Sequence, residues 1–483
     1  MQKRLRWMTY LVLGVGVAFR VGLALVTPPD RAYDDHYEPV EVILTKGRIP
    51  DAVDCWEGFQ PPLYYLVSAG FCTVTQRFAP PGDDEAVEYI GRRTLQFVSV
   101  AAGCATLWVC LLILRRFDEL AGHQALALSL VAFLPRHIYM SAMATNDAFT
   151  YLVASLAVYA ALRAQAAGWR TRWCIVTGLL AGATVLSKGY GWVTVAVIVL
   201  VVWLFTRRRA APGEPRLRCE LSRPLAFVLV SALALAVWPT ARNLWVFGEL
   251  HVDNYQFRDT PMYHQPPGSL ADTSFRSFRL PALLQHPWLH VAHVDSVWTE
   301  LYGRLWFDYE GFNTTLAPYP PWQRLWERCA QAYPEWNRAR WLMLLDPAPD
   351  EVPPDFKRVA ILSYFAGLPL TLAVLAGLLL AVRRARQSFG VALVSLHFVF
   401  AVLVPVFQTL RLPHFAAMKA AFALSGLAGA PVLLALVLNA IHSRAVRLTV
   451  VGALWLLAAA VAFADAAFVL LQTWHAYRTA GGA

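Results

Sequence analysis

The sequence is short of charge. Asp, Glu, Lys and Arg make up only 15% of its 483 residues, against 57% hydrophobic residues and a mean hydropathy of +0.45. That balance excludes a soluble enzyme core and belongs to a chain threaded repeatedly through a bilayer. Cysteine is scarce as well. The seven, at 55, 72, 104, 110, 174, 219 and 329, include no CxxC pair and no His partner at metal-ligand spacing, so no zinc or dithiol motif is written here. Most read as small core residues. Cys55 and Cys329 both fall in expected outer loops, which leaves a bridge between them open. Internal repeats and low-complexity tracts are missing, and so is a cleavable signal peptide. Lys3, Arg4 and Arg6 precede an apolar run from Trp7 to Val26, which at about 20 residues is long enough to cross the bilayer as a retained first helix.

What the chain has instead is spanning-length apolar runs, near 7–26, 94–114, 124–141, 147–167, 173–187, 190–206, 223–241, 358–382, 389–408, 415–438 and 448–471. They predict an all-α polytopic membrane protein of about eleven transmembrane helices. A formal net charge of +10 would suggest nucleic acid in a soluble protein, but these cations fall in short clusters between the apolar runs. Lys3/Arg4/Arg6, Arg115/Arg116, Arg163/Arg170/Arg172, Arg207/Arg208/Arg209, Arg383/Arg384/Arg386 and Arg444/Arg447 occupy alternate connections. The N-terminus is therefore expected in the cytoplasm and the C-terminus outside. Three regions follow: a transmembrane module at 1–241 that includes an outer loop at 27–93, an aromatic-rich outer region at 242–357, and C-terminal helices at 358–483. Within the first loop, Pro62 to Phe78 is apolar but short, and reads as a helix in the interface.

Function should face the outer loops. Asp34 and Asp35 sit just beyond the first apolar run. One carboxylate beside another at a low-dielectric wall can gain the proton affinity of a useful base, although an acid pair in a loop is often only a hydrated turn. A second set is cations on the side the positive-inside rule leaves acidic: Lys188, Arg92, Arg93, Arg136 with His137, Arg242, and Arg411 with Lys419. Singly each could snorkel to headgroups; together they suggest a phosphate site. Asn146 and Asp147 lie in a polar link that caps a helix or joins the site. His36, Glu57 and Gln60 near the acid pair, with Asp308 and Glu310 in the second loop, form an Asp/Glu/His set that could hold a divalent cation with oxygen ligands, though no fixed spacing supports one. Asp465 lies inside the last apolar run.

These residues, in this order, resemble the membrane-embedded glycosyltransferases of the C superfamily (GT-C), in particular the protein O-mannosyltransferases and aminoarabinose transferases that use polyprenyl-phosphate sugars. The resemblance rests on Asp34-Asp35 with Tyr37, Gly47-Arg48-Ile49-Pro50, and Gln60-Pro61-Pro62-Leu63-Tyr64-Tyr65. It continues through Arg92 or Arg93, Asn146-Asp147, Gly178 to Gly182 leading to Ser187-Lys188-Gly189, and Arg242-Asn243 with Phe247-Gly248. It is good over residues 1–250 and weak beyond. The Trp-Trp-Asp signature of oligosaccharyltransferases is missing.

The resemblance implies an inverting transfer from a polyprenyl-phosphate donor to a hydroxyl of a protein, lipid or glycan on the extracytoplasmic face of a bacterial-type cytoplasmic membrane. Asp34 or Asp35 would be the base. Lys188 with Arg92, Arg93, Arg136, Arg242 and Arg411 would bind the donor phosphate, and His36, Tyr37, Gln60, Pro62, Tyr64, Asn146, Asp147, Asp308 and Glu310 would line the pocket. No cofactor is certain, and a divalent cation stays open. The alternatives are a transporter or flippase of a lipid-linked or anionic substrate, and a non-catalytic membrane scaffold. Transporters tend to show inverted repeats and broken helices, and neither is legible in the sequence.

Overall fold

The computed structural model describes residues 2–29, 36–208, 215–250, 252, 274–287, 296–307, 327–328, 331, 356–411 and 420–480. Asp34, Asp35, Asp308, Glu310, Cys329 and Lys419 lie outside the described residues, as do the side chains of Arg411 and Asp465. Cys55 is buried. The described residues form helices and no named strand, with one isolated bridge between Ser274 and Ser296.

The helices are α1 (Gln2–Val26), α2 (Tyr37–Lys46), α3 (Leu63–Thr75), α4 (Asp84–Leu114), α5 (Gln124–Ala132), α6 (Pro135–Ala142), α7 (Asn146–Ala166), α8 (Thr171–Ser187), α9 (Trp192–Arg208) and α10 (Pro215–Phe247). After the short α11 (Leu280–Gln285) and α12 (Val297–Trp306) come α13 (Phe356–Arg384), α14 (Phe389–Arg411), α15 (Gly429–Ala440) and α16 (Arg444–Ala480). Among the described residues, seven helices are long and apolar enough to cross a membrane, and nine spans result if each of two bent pairs counts as one. The chain is a multi-pass membrane protein. The expected count of eleven is not reached, because α7 and α8 stand where expected but fall outside that set. α8 has 17 residues, about 26 Å at helical rise against a hydrocarbon core of about 30 Å. α7 carries Asn146, Asp147, Arg163 and Gln165 in its 21 residues and is buried by its neighbours along most of its length.

Two expected spans are broken, which corrects the expectation of unbroken helices. The run near 124–141 divides into α5 and α6, bent by 58°. Its cause is Pro135, which cannot donate to a continuing helix and drives Leu134 into extended backbone, φ −71° and ψ 114°. Arg20 of α1 fills the gap. Its guanidinium donates to the carbonyls of Ala132 (3.0 Å), Val131 (3.2 Å) and Gly16 (2.7 Å), and to His137 Nδ1 at 2.5 Å. A cation at a helix C-terminus meets the negative end of the dipole and the orphaned carbonyls together. The second break separates a 3₁₀ turn at Ala420–Gly426 from α15 by 66°.

Helix ends also exceed the apolar runs. α4 begins at Asp84, ten residues before the run, because the Asp83 carboxylate accepts from the Ala86 N–H at 2.9 Å and Asp84 and Glu85 oppose the dipole in the first turn. The short apolar run forms α3, which at 13 residues is too short to cross a bilayer. It buries Tyr64, Tyr65, Ser68, Ala69 and Cys72 on one face and exposes Leu66, Phe71 and Val74 on the other. In the bundle, α8 lies directly against α10. A Cβ on Gly178 would stand 2.3 Å from the Val228 carbonyl oxygen, and one on Gly182 2.5 Å from that of Ala232. The glycine spacing permits backbone approach in a medium where packing replaces the hydrophobic effect.

Candidate active site

α7 begins and α8 ends on the same side of the bundle, away from the Arg163/Arg170/Arg172 connection. Thr145 starts α7 as its cap, its hydroxyl accepting from the Asp147 N–H at 3.3 Å. α8 stops at Ser187, and Lys188 turns into extended backbone, φ −160° and ψ 142°. The Asn146 side-chain amide donates to the Ser187 carbonyl at 3.4 Å, tying the two ends together. This junction sets Lys188 Nζ 2.8 Å from Asp147 Oδ2, in a pair only 7% and 2% exposed. Tyr190 donates its hydroxyl to the other carboxylate oxygen at 2.8 Å. The Lys188 ammonium also lies 5.7 Å from the centre of the Tyr190 ring and 5.4 Å from that of Phe422. Buried unpaired ions are expensive, and a paired, hydrogen-bonded one is the form in which a cation can be stored in such a place.

Hydrogen bonds lead from this pair to the start of α2. The Ser99 hydroxyl of α4 donates to the Thr145 carbonyl at 3.0 Å and lies 3.5 Å from the Tyr64 hydroxyl. Tyr64 packs edge-on to Phe149 of α7 and to Tyr65, with centroids 5.9 and 5.6 Å apart. The Tyr65 hydroxyl is hydrogen-bonded to His36 Nδ1 at 2.7 Å, and the two rings stack at 5.8 Å. His36 is buried and directly follows Asp35 in the chain.

The remaining expected residues are distributed. The Tyr37 hydroxyl accepts from Gln76 at 2.9 Å beneath Arg92, and burial pushes it up to about 12. Arg92 pairs with Glu88 at 2.7 Å. Arg93 donates to the carbonyls of Ala24 (2.6 Å) and Thr27 (3.1 Å) and to Gln96, which fixes the end of α1. Gln60 donates to Glu57 at 3.1 Å, and Pro62 precedes α3 as its cap residue. Arg136 is buried in α6. Arg242 donates to the carbonyls of Ile49 and Pro50 at 3.4 and 3.0 Å, beside an ion cluster of Lys46, Arg48, Asp51 and Asp54. Of the pocket residues, then, Asn146 and Asp147 meet Lys188 directly, and Tyr64 and His36 join them through Ser99 and Tyr65, while Arg92, Arg93 and Arg242 engage other partners. Sequence reasoning missed Arg20, Ser99, Tyr190 and Phe422. An Arg inside the first apolar run was a signal for Arg20; the others carried none. Among the described residues, no group of three His, Cys, Asp or Glu could hold a metal.

Beside Tyr64 and Phe149, a cavity of about 700 Å³ runs between α3, α4 and α7. It is walled by apolar side chains such as Val67, Phe71, Phe97, Phe149 and Leu152, with Arg93 among them.

Residues 75–256 match the family model of the dolichyl-phosphate-mannose-protein mannosyltransferases. The match bears out the resemblance to GT-C enzymes. It spans Arg92, Arg93, Arg136, Asn146, Asp147, Lys188 and Arg242. No curated protein matches the sequence. Among solved structures, the chain is similar to the Archaeoglobus fulgidus oligosaccharyltransferase in its complex with zinc and sulfate, at 15% identity and a TM-score of 0.48, over 96% of this chain and 53% of that one. It therefore spans about half the length of that enzyme. ArnT from Cupriavidus metallidurans, bound to undecaprenyl phosphate, is similar at 15% identity and a TM-score of 0.38, over 88% of this chain and 76% of its own.

Proposed function

We propose that the protein is an inverting glycosyltransferase that moves a sugar from a polyprenyl-phosphate donor to an acceptor hydroxyl on the extracytoplasmic face of the membrane. The observation that carries this reading is the buried Lys188–Asp147 pair, with the Tyr190 hydroxyl on its carboxylate, inside the segment matched to the mannosyltransferase family.

An ammonium has three N–H donors. Asp147 accepts from one, which leaves two for phosphate oxygens, while the Tyr190 hydroxyl keeps the carboxylate from turning. The cation is thereby pre-aimed and charge-compensated before the donor arrives. In the reaction, Asp34 takes the proton of the acceptor hydroxyl as its oxygen bonds to the anomeric carbon. The bond from that carbon to the phosphate oxygen breaks, and the electron pair leaves with polyprenyl phosphate, its charge held by Lys188. A single displacement inverts the anomeric centre. Phosphate is a good leaving group, so no acid is required there. His36, anchored under Tyr65, fixes the point from which the Asp34-Asp35 segment departs, and the apolar cavity beside Arg93 suits the polyprenyl chain.

The reading is tested with purified protein in lipid nanodiscs and radiolabelled dolichyl phosphate mannose. Label transferred to an acceptor, and lost in Asp34→Asn, supports it. Movement of intact donor across the membrane without covalent product would favour transport, and neither outcome would leave a scaffold.

A further inference from the structure

Lys188 is buried, and the residue that follows it reaches the surface. Gly189 is exposed, and a Cβ built on it would meet nothing within 4 Å. Tyr190 and Phe422 are only half-buried, in contrast to the ion pair they cover. Both rings are held in place. Tyr190 is fixed by its hydrogen bond to Asp147. Phe422 stands on the 3₁₀ turn at 420–426, whose Ala421 carbonyl accepts from the Tyr151 hydroxyl at 2.8 Å. The turn is seated on α14 through Gly426, where a Cβ would stand 2.6 Å from the Cβ of Ala401. The rings meet at 5.6 Å between centroids with planes inclined by 47°, forming a shallow V beside the ammonium.

A polyprenyl-phosphate sugar has its anomeric carbon one oxygen away from phosphorus. If Lys188 holds the phosphate, the sugar ring must lie against what surrounds the ammonium. There the surroundings are two aromatic faces, whose electron-rich surfaces attract the polarised C–H groups of a pyranose. We infer that Tyr190 and Phe422 form the platform on which the donor's sugar ring rests, with Phe422 contributing its ring face alone. The inference builds on the transferase reading above and adds the seat of the sugar to that of the phosphate.

The experiment compares binding of dolichyl phosphate and dolichyl phosphate mannose to wild type, Phe422→Leu and Phe422→Trp in nanodiscs. Phe422→Leu should weaken the mannosyl compound by about tenfold, the scale of one aromatic contact, and leave dolichyl phosphate unchanged. Phe422→Trp should retain most of the affinity for both. Equal loss of both ligands in Phe422→Leu, or no loss of either, would overturn the platform. Should Phe422→Leu fail to fold, Gly189→Leu adds bulk between Lys188 and Tyr190 in the chain from a position with room for it. It must lower mannosyl affinity more than that of dolichyl phosphate, and an unchanged ratio overturns the proposal. Wild-type protein that binds neither compound would remove the transferase reading and the platform with it, whereas normal dolichyl phosphate binding without the ratio change removes the platform alone.

Discussion

Lys188 of the α8 terminus and Asp147 of the α7 terminus form a buried ion pair at 2.8 Å, with the Tyr190 hydroxyl on the carboxylate's second oxygen. Two helix ends from different parts of the chain thus share one charge-compensated junction. Removing one partner strands the other, at a cost of about 3–5 kcal/mol. Asp147→Ala should therefore lower the melting temperature in detergent. The double variant Asp147→Leu/Lys188→Met should recover most of that loss and still bind no dolichyl phosphate. Recovery of binding in the double variant would show that the pair is only structural.

Arg20 holds the α5–α6 break through the Val131 and Ala132 carbonyls and His137. Arg20→Met should leave those acceptors unmatched and destabilise the protein by about 1–3 kcal/mol per buried group that stays unpaired. Arg20→Lys, with a single ammonium in place of the fork, should fall between the two. Melting temperatures of the three proteins decide it; Arg20→Met as stable as wild type would mean that the break holds itself.

The loop at 46–54 is clasped by charge. Burial alone would raise the Asp54 carboxyl, but the hydrogen bonds from Arg48, the Asp51 N–H and Lys46 outweigh it and hold the group at about 2, below its ordinary 3.8. A depressed carboxyl contributes stability in full above its unfolded value, and the contribution disappears as pH falls through the folded value. The protection factors of the loop's amides should be unchanged from neutral pH down to about 4 and should fall between about 4 and 2. Asp54→Asn should show the lowered protection at neutral pH. A loop equally protected at pH 2 would contradict the clasp.

Gly178 and Gly182 let α8 lie on α10. Gly182→Leu should force the helices apart and destabilise the protein by about 1–3 kcal/mol or more, whereas Gly14→Leu, where a Cβ meets nothing within 4 Å, should have little effect. Equal melting temperatures for the two variants would remove the close approach.

Much of the fold was legible because hydrocarbon solvent enforces long apolar runs, and the helices lie where those runs fall. What the runs could not report were the ends. α4 starts ten residues early on the Asp83 cap, a polar signal outside the run. The α5–α6 break was written in Pro135 yet concealed by unbroken hydrophobicity on either side. At the site, Asn146, Asp147, Lys188 and His36 were visible as polar residues at apolar boundaries; the first three meet, and His36 joins them through Tyr65, Tyr64 and Ser99. Ser99, Tyr190 and Phe422 were not, because a Ser or an aromatic in an apolar segment is ordinary until the tertiary fold brings it to a charge. The arginines were visible too, but one stretch of sequence cannot say which carbonyl or carboxylate a guanidinium will reach.

The most direct test of the account is the rate of mannosyl transfer from dolichyl phosphate mannose by wild type and Asp34→Asn, alongside the dissociation constant of dolichyl phosphate for wild type and Lys188→Met. A carboxylate base and a separate phosphate cation predict that Asp34→Asn loses transfer by about 10²–10⁴-fold with phosphate affinity intact, and that Lys188→Met loses phosphate affinity. Wild-type transfer by Asp34→Asn, together with unchanged affinity in Lys188→Met, would contradict it.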